Sequence, residues 1–115
     1  MSNPTGLPYR PSVAAGEWVI VSGQVGLRDG AIVEDFAGEV DQLLANLAAQ
    51  LAEHGLGMEH VVKTTCFLLD FAQFGEFNDR YAAAFPEPRP ARSTVQVSGL
   101  PLGAHAEVEA WARKP

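Results

Sequence analysis

Apolar residues recur at helical spacing in two segments of the chain. In 36–54 they fall three or four residues apart, with Asp35 available as N-cap and Gly55 just past the end, which predicts a first helix. A second helix is predicted to open at Asp70, where a glutamine three residues further on resembles a capping box, and to stop at Pro86. The apolar positions are Val40, Leu43, Leu44, Leu47 and Leu51 in the first helix, and Phe74, Phe77, Tyr81 and Phe85 in the second.

Runs rich in β-forming residues predict the strands around these helices. The run 18–25, the turn signal Asp29-Gly30 and the run 31–33 together predict a hairpin near the start of the chain. The run 61–69 predicts a strand between the two helices. Two alternating stretches within 91–112 predict a second hairpin at the end of the chain.

The second hairpin carries the charged residues of greatest chemical interest. One face of its first stretch holds Arg92, Thr94, Gln96 and Ser98, and one face of its second stretch holds His105, Glu107, Glu109 and Trp111. A guanidinium near a carboxylate on the polar face of a sheet can hold a small carboxylic acid and handle a proton. We therefore expect the function to reside in this segment, on Arg92 and Glu107.

The predicted element order is β-β-α-β-α-β-β, an α+β layout in which two amphipathic helices cover one face of a mixed sheet. The other face must also be accounted for, because neither parity of the strands at 18–25 and 61–69 is uniformly polar. A half-apolar face left exposed on so small a domain would be an unusually large patch. We expect self-association to bury it, with any site on that face lying at a subunit boundary.

Composition narrows the classes of protein. The 115 residues, 47% of them hydrophobic, suffice for one compact domain over 1–115. A net charge of -6 opposes binding to nucleic acid, whose partners usually carry clustered Lys and Arg. No apolar run approaches the length of a membrane span and no signal peptide opens the chain, so a cytoplasmic protein is expected.

Cysteine and histidine offer no metal site. Cys66 is the single cysteine, which excludes an internal disulfide and a thiolate cluster, and we expect it to be a small buried residue. The three histidines, His54, His60 and His105, show no metal-binding spacing, so no metal ion is expected.

Motifs spread over the whole chain point to a family. They are Tyr9, Ser22-Gly23-Gln24, the run 62–67, the run 77–81, Pro90-Ala91-Arg92-Ser93, Leu100-Pro101 and Glu107-Val108-Glu109-Ala110. In this order and at these separations they resemble the RidA (YjgF-type) family of imine and enamine deaminases. The resemblance implies a single RidA-like domain with a chorismate-mutase-like α+β subunit. It also implies a homotrimer with three clefts between subunits and no metal or organic cofactor.

The resemblance assigns the two principal roles. Arg92 matches the family arginine that binds the substrate carboxylate, whereas without the resemblance the sequence favours an ordinary surface or interface ion pair at this position. Glu107 matches the family acid that positions the attacking water or shuttles its proton. The implied reaction is hydrolysis of a small 2-imino acid, such as 2-iminobutyrate or 2-iminopropionate (the tautomer of 2-aminoacrylate), to a 2-oxo acid and ammonia.

Supporting roles follow from the same resemblance. Tyr9 would close the cleft, and Phe77 with Asn78 would line it, while a core position suits Phe77 equally well. Gly23 would allow a close approach of ligand to backbone, with a β-bulge as the alternative. Thr94 stands where the family commonly has a cysteine, and the loop 86–90 is shorter than usual, so both bear on substrate preference.

Two further functions remain open from the sequence. One is a non-catalytic trimer that binds a small carboxylate through Arg92. The other is the ribonuclease or translation-inhibitor activity often attached to the family, which fits poorly with the acidic charge balance.

Overall fold

The computed structural model describes residues 6–115, which form a five-stranded mixed sheet, a separate two-stranded ribbon and two helices. The elements are β1 (Ser12–Ala15), β2 (Trp18–Gln24), β3 (Leu27–Arg28), β4 (Ala31–Ile32), α1 (Phe36–Ala52), β5 (Val61–Leu68), α2 (Phe74–Ala84), β6 (Ala91–Gln96) and β7 (Ala106–Arg113). Short 3-10 turns occupy Met58–His60, Phe71–Gln73 and Pro101–Gly103. Across the main sheet the strand order is β1-β2-β7-β5-β6, with β5 and β6 parallel and the other neighbours antiparallel.

Both predicted helices are present, and their ends follow from local chemistry. The Asp35 side chain accepts a hydrogen bond from the Gly38 N–H at 2.8 Å, as expected of an N-cap, and Gly55 beyond the helix has a φ of +74°. The second helix begins slightly later than predicted. Asp70 caps the 3-10 turn Phe71–Gln73, accepting from the Ala72 N–H at 2.9 Å, and α2 starts only after that turn.

The core lies between the helices and one face of the sheet. The apolar stripe of α1 and the aromatic stripe of α2 pack against alternate residues of β2, β5 and β7, as the periodicity predicted. Fully buried members include Val40, Leu43, Leu47 and Leu51 of α1, Phe77 of α2, Phe85 just beyond it, and Val19, Cys66, Val108 and Ala110 of the sheet. The α+β prediction, with a mixed sheet and two helices on one face, is confirmed.

The predicted N-terminal hairpin is wrong in its pairing. The Asp29-Gly30 turn does form, with φ of +52° and +83°, but it joins only the two-residue strands β3 and β4. The partner of β2 is the preceding strand β1. The sequence of β1, Ser-Val-Ala-Ala, lacks an apolar alternation, which is why the pattern did not reveal it.

The predicted C-terminal hairpin is also wrong, because β5 lies between β6 and β7. The connection 97–105 carries the chain across the end of β5. There the Val97 N–H donates to the Leu68 carbonyl at 2.9 Å, and the Leu69 N–H donates to the His105 carbonyl at 3.0 Å. Alternation correctly identified which residues share a face of each strand, but it carries no information about which strands are neighbours.

The sheet face opposite the helices carries large apolar side chains. Trp18 and Trp111 meet edge to face with ring centroids 6.0 Å apart, and Trp111 remains 46% exposed. Val95 on the edge strand is 44% exposed. Burial of this face by self-association stays a prediction. Within residues 6–115, neither helix has the length and apolarity that a membrane span requires.

Candidate active site

The Arg92 side chain points from β6 toward α2, where three aromatic rings surround it. Its Cζ lies 4.8 Å from the ring centroid of Tyr81, 5.6 Å from that of Phe74 and 5.7 Å from that of Phe77. One guanidinium nitrogen, Nη2, donates to Asn78 Oδ1 at 2.6 Å. Ring faces attract a cation and the amide fixes its orientation, so α2 holds the guanidinium in place.

No acidic side chain neutralises Arg92 within residues 6–115. The ion pairs of that part of the chain leave it out, and Asn78 is its one hydrogen-bond acceptor there. The neighbouring Arg89 differs, because it binds the Glu87 carboxylate at 2.5 Å and the Ala82 carbonyl at 3.2 Å. A shallow pocket of about 290 Å³ opens over Arg92 between the two elements. The pocket therefore exposes the uncompensated positive charge of Arg92 to an anion.

An unsatisfied hydroxyl lies next to this charge. Thr94 follows Arg92 by two residues on the same face of β6, and its Oγ1 is the one buried side-chain polar atom of the described residues that has no hydrogen-bond partner. Leaving such a group unpaired costs about 1–3 kcal/mol. The weakly donating Cys66 thiol is a neighbour of Thr94, and a bound polar group that hydrogen-bonds Thr94 Oγ1 would remove this cost.

Beneath Arg92, a buried set of hydrogen bonds fixes the ring of Tyr81. The Tyr81 hydroxyl shares a hydrogen bond of 2.6 Å with Thr64 Oγ1, and the Cys66 thiol donates to the same oxygen at 3.9 Å. Burial raises the pKa of Cys66 to about 11 and also raises the pKa of Tyr81. Cys66 is thus a protonated core residue, as expected, and not a nucleophile.

Glu107 lies on the opposite face of the sheet, against Gly23. A Cβ added at Gly23 would come within 2.3 Å of Glu107 Oε2, so only glycine admits the carboxylate there. The register of β2 and β7 shifts between Val21 and Gln24, which also makes Gly23 part of a bulge. Partial burial, and secondarily the charge of Glu109, raise the pKa of Glu107 above the usual range of a glutamate.

A cavity of about 300 Å³ adjoins Gly23. Tyr9, which is 54% exposed, forms part of its wall. The full lining is Leu7, Tyr9, Pro11, Gly23, Gln24, Val25, Leu27, Asn46 and Leu102. Gly23 is thus common to the cavity that Tyr9 lines and to the close approach of Glu107; we call Tyr9, Gly23 and Glu107 the glutamate group.

The remaining candidates form a second assembly, the arginine group, consisting of Phe77, Asn78, Arg92 and Thr94. Phe77 is a fully buried core residue that also contacts the Arg92 guanidinium, and its role in lining a substrate cleft stays a prediction. Sequence reasoning missed Phe74 and Tyr81, although their spacing from Phe77 on α2 placed them on the same helix face.

The expectation that Arg92 and Glu107 share one polar face of a hairpin is wrong for a single chain. Arg92 is in register with Thr64, which faces α2, whereas Glu107 is in register with Phe67, which faces away from it. The intervening strand β5 also separates their strands by about 10 Å, two strand spacings. The two groups therefore lie on opposite sides of the sheet.

The described residues contain no cluster of three His, Cys, Asp or Glu side chains placed to hold a metal ion. The described residues do offer a carboxylate with a raised pKa and a guanidinium surrounded by aromatic rings.

The chain is similar to known proteins in sequence and in fold. The family model described as endoribonuclease L-PSP matches residues 2–114. The chain is 42% identical over 108 residues to the chloroplastic Reactive Intermediate Deaminase A of Arabidopsis thaliana, covering 91% of this chain and 58% of that protein. It therefore spans little more than half the length of that relative.

Two further matches cover most of this chain and most of the matched protein. The 2-iminobutanoate/2-iminopropanoate deaminase of Salmonella typhimurium is 39% identical over 110 residues, which is 91% of this chain and 86% of that protein. The crystal structure of Escherichia coli TdcF with bound serine matches with a TM-score of 0.90 at 33% identity, covering 94% of this chain and 89% of that one.

Proposed function

We propose a function on the premise that the chain belongs to the RidA (YjgF) family, whose endoribonuclease L-PSP model matches residues 2–114. The proposed function is hydrolysis of small 2-imino acids to 2-oxo acids and ammonia. The observation that carries the proposal is the Arg92 guanidinium, caged by aromatic rings, without an acidic partner in residues 6–115 and next to the unsatisfied Thr94 hydroxyl. The name of the Salmonella relative supports 2-iminobutyrate and 2-iminopropionate as substrates.

Arg92 binds the substrate carboxylate in this proposal. A guanidinium presents two parallel N–H groups to the two oxygens of a carboxylate, and such charge-assisted hydrogen bonds contribute about 1.5–3 kcal/mol. Asn78 occupies one side of the guanidinium and leaves the other side for the ligand. The serine bound to the E. coli neighbour is likewise a small molecule with a carboxylate.

Glu107 manages the protons. The pKa of the Glu107 carboxyl is raised toward neutral pH, and a group whose pKa lies nearer the working pH can both accept and return a proton. A water oxygen attacks C2 of the imine while Glu107 takes a proton from the water; Glu107 then passes that proton to the imine nitrogen as the C2–N bond becomes single, and is itself ionised again. The resulting carbinolamine then loses ammonia. Its hydroxyl proton returns through Glu107 to the departing nitrogen, and the C2 carbonyl forms.

We further propose that a second copy of the chain completes each site. One small substrate cannot reach both Arg92 and Glu107 of a single chain, because they lie on opposite sides of the sheet. Pairing the arginine group of one copy with the glutamate group of the next is a head-to-tail contact, which closes into a ring. The family resemblance makes that ring a homotrimer. The sheet face carrying Trp18 and Trp111 supplies apolar surface for the contact.

The test is the decay of an imine generated in the assay by a dehydratase acting on threonine or serine. We expect the protein to accelerate loss of 2-iminobutyrate and 2-iminopropionate. Arg92→Lys should lower kcat/KM about 100-fold, because an ammonium cannot form the bidentate contact. The matched control is Arg80→Lys, since Arg80 pairs with Asp41 on the exposed helix surface and should leave activity unchanged.

Two outcomes would contradict the proposed deaminase activity. Unchanged imine decay with added protein removes the proposed activity for these substrates. If calorimetry then shows 2-oxobutyrate binding that is lost in Arg92→Ala, the chain is a carboxylate-binding protein and not a deaminase.

A further inference from the structure

We propose that the 300 Å³ cavity beside Gly23 receives the substrate side chain and selects 2-imino acids whose side chains are apolar and of isobutyl or benzyl size. This inference rests on the proposed deaminase function and adds the substrate class to it. We call the site the apolar cavity. Its carbon-rich walls are Leu7, Pro11, Val25, Leu27 and Leu102.

Two amide side chains of the lining already hydrogen-bond within the protein. Asn46 donates to the carbonyls of Val25 and Leu27 at 2.9 and 3.0 Å, and its own oxygen accepts from Gln42 at 2.9 Å. The Gln24 amide donates to the Ser22 carbonyl at 3.2 Å. Because these amides already have partners, the cavity favours a hydrocarbon group over a polar one.

Leu102 is the most unusual residue of the cavity. It is 68% exposed and has a φ of +61° and ψ of +19°, a left-handed conformation that a leucine rarely adopts. An exposed apolar side chain in a disfavoured backbone conformation gains little for the fold of residues 6–115. Outliers of this kind concentrate where a ligand is contacted. Contact with a substrate side chain gives Leu102 a physical role.

The apolar cavity adjoins the proposed reaction centre. Gly23 lines it, and the Glu107 carboxylate lies against the same glycine. The side chain of a 2-imino acid is attached to C2, the carbon that water attacks, and begins at C3. With C2 held near Glu107, the side chain is within reach of the cavity.

Volume decides which side chains the cavity suits. A cavity of about 150 Å³ accommodates benzene, so a cavity of 300 Å³ has room for an isobutyl or benzyl group. The methyl group of 2-iminopropionate leaves most of it to water. Discrimination by a hydrophobic pocket amounts to about 10- to 200-fold for a single methylene.

The experiment compares imines that L-amino acid oxidase produces from alanine, leucine, phenylalanine and glutamate, with catalase present to remove peroxide. Semicarbazide traps the remaining imine, so faster hydrolysis lowers semicarbazone absorbance. We expect kcat/KM for the leucine-derived imine to exceed that for the alanine-derived imine by about 10-fold or more. The glutamate-derived imine, of similar length but charged, should be a poor substrate.

Leu102→Asn tests the residue itself, because asparagine tolerates positive φ but presents a polar side chain. We expect about a 10-fold loss of kcat/KM for the leucine-derived imine and a change of less than about twofold for the alanine-derived one. Leu102→Met, which keeps the wall apolar, should retain the preference. Light scattering after size exclusion checks that each variant keeps the parent's oligomeric state.

A binding measurement separates this inference from the proposed function. Calorimetry with 4-methyl-2-oxopentanoate and pyruvate should show tighter binding of the larger acid, reduced by Leu102→Asn. If that preference appears but no imine is hydrolysed faster, the deaminase proposal fails and the cavity assignment stands. If all imines are hydrolysed equally, or Leu102→Asn changes nothing, the cavity assignment is overturned and the deaminase proposal stands.

Discussion

Replacing Gly23 with alanine should separate catalysis from folding. The backbone of Gly23 does not have a positive φ, so alanine can adopt it. The obstacle is the new methyl group, which would lie 2.3 Å from Glu107 Oε2 and 2.7 Å from Glu107 Cδ. Since ordinary contacts begin near 3.4 Å, the carboxylate must withdraw by about 1 Å.

The consequence for activity is large and the consequence for stability is small. A misplacement of about 1 Å can lower a rate about 100-fold, and we expect kcat to fall by that order. Glu107 is only partly buried and its carboxylate can swing outward, so the free energy of unfolding should change by no more than about 1 kcal/mol.

Steady-state imine hydrolysis and urea denaturation of the same preparations measure the two effects. The matched control is Gly75→Ala, because nothing lies within 4 Å of a Cβ at that exposed position in α2. That variant should keep full activity and gain up to about 1 kcal/mol in the free energy of unfolding. Full activity in Gly23→Ala would refute the reasoning, since the position of Glu107 would then be immaterial.

Four further predictions concern protonation, which accounts for two of them, helix capping and thiol reactivity. Glu109→Gln should move the acid limb of the kcat/KM profile to lower pH, because it removes one cause of the raised pKa of Glu107; an unmoved limb would show that another group titrates. A raised folded-state pKa means that the contribution of this carboxyl to stability is present at low pH and lost as pH rises through that pKa. Glu107→Gln should therefore raise Tm relative to the parent at about pH 7 and not at about pH 4. Asp35→Ala should lower the free energy of unfolding by about 1 kcal/mol through loss of the cap to Gly38, with activity retained; equal urea midpoints would contradict the capping role. Cys66, buried and with its pKa raised to about 11, should resist iodoacetamide at pH 8 until the protein unfolds, and rapid native labelling observed by mass spectrometry would count against its burial.

Local patterns determined the parts of the fold that sequence could predict. The leucine row of α1 and the aromatic row of α2 are periodic over several turns, so both helices and their buried faces were predicted correctly. Strand pairing is different, because it depends on contacts between residues distant in sequence. The parallel pairing of β5 with β6 separates two strands that alternation alone had joined.

The same limitation governed the candidate site. The family resemblance supplied Arg92 and Glu107, but no spacing in the sequence indicated that they lie on opposite faces of one sheet. The cage that Phe74, Phe77 and Tyr81 form around Arg92 arises only when α2 packs across the edge of the sheet. The orphaned Thr94 hydroxyl is likewise a property of packing and not of composition.

A complementation experiment tests most directly whether each site takes its arginine from one copy and its glutamate from another. Arg92→Ala and Glu107→Gln are each expected to be inactive alone. Co-expressed in equal amounts, they should regain about one quarter of parental activity, because each contributing copy has about an even chance of carrying the intact residue. No recovery in verified mixed assemblies would contradict the account, since it would mean that both residues act from the same chain.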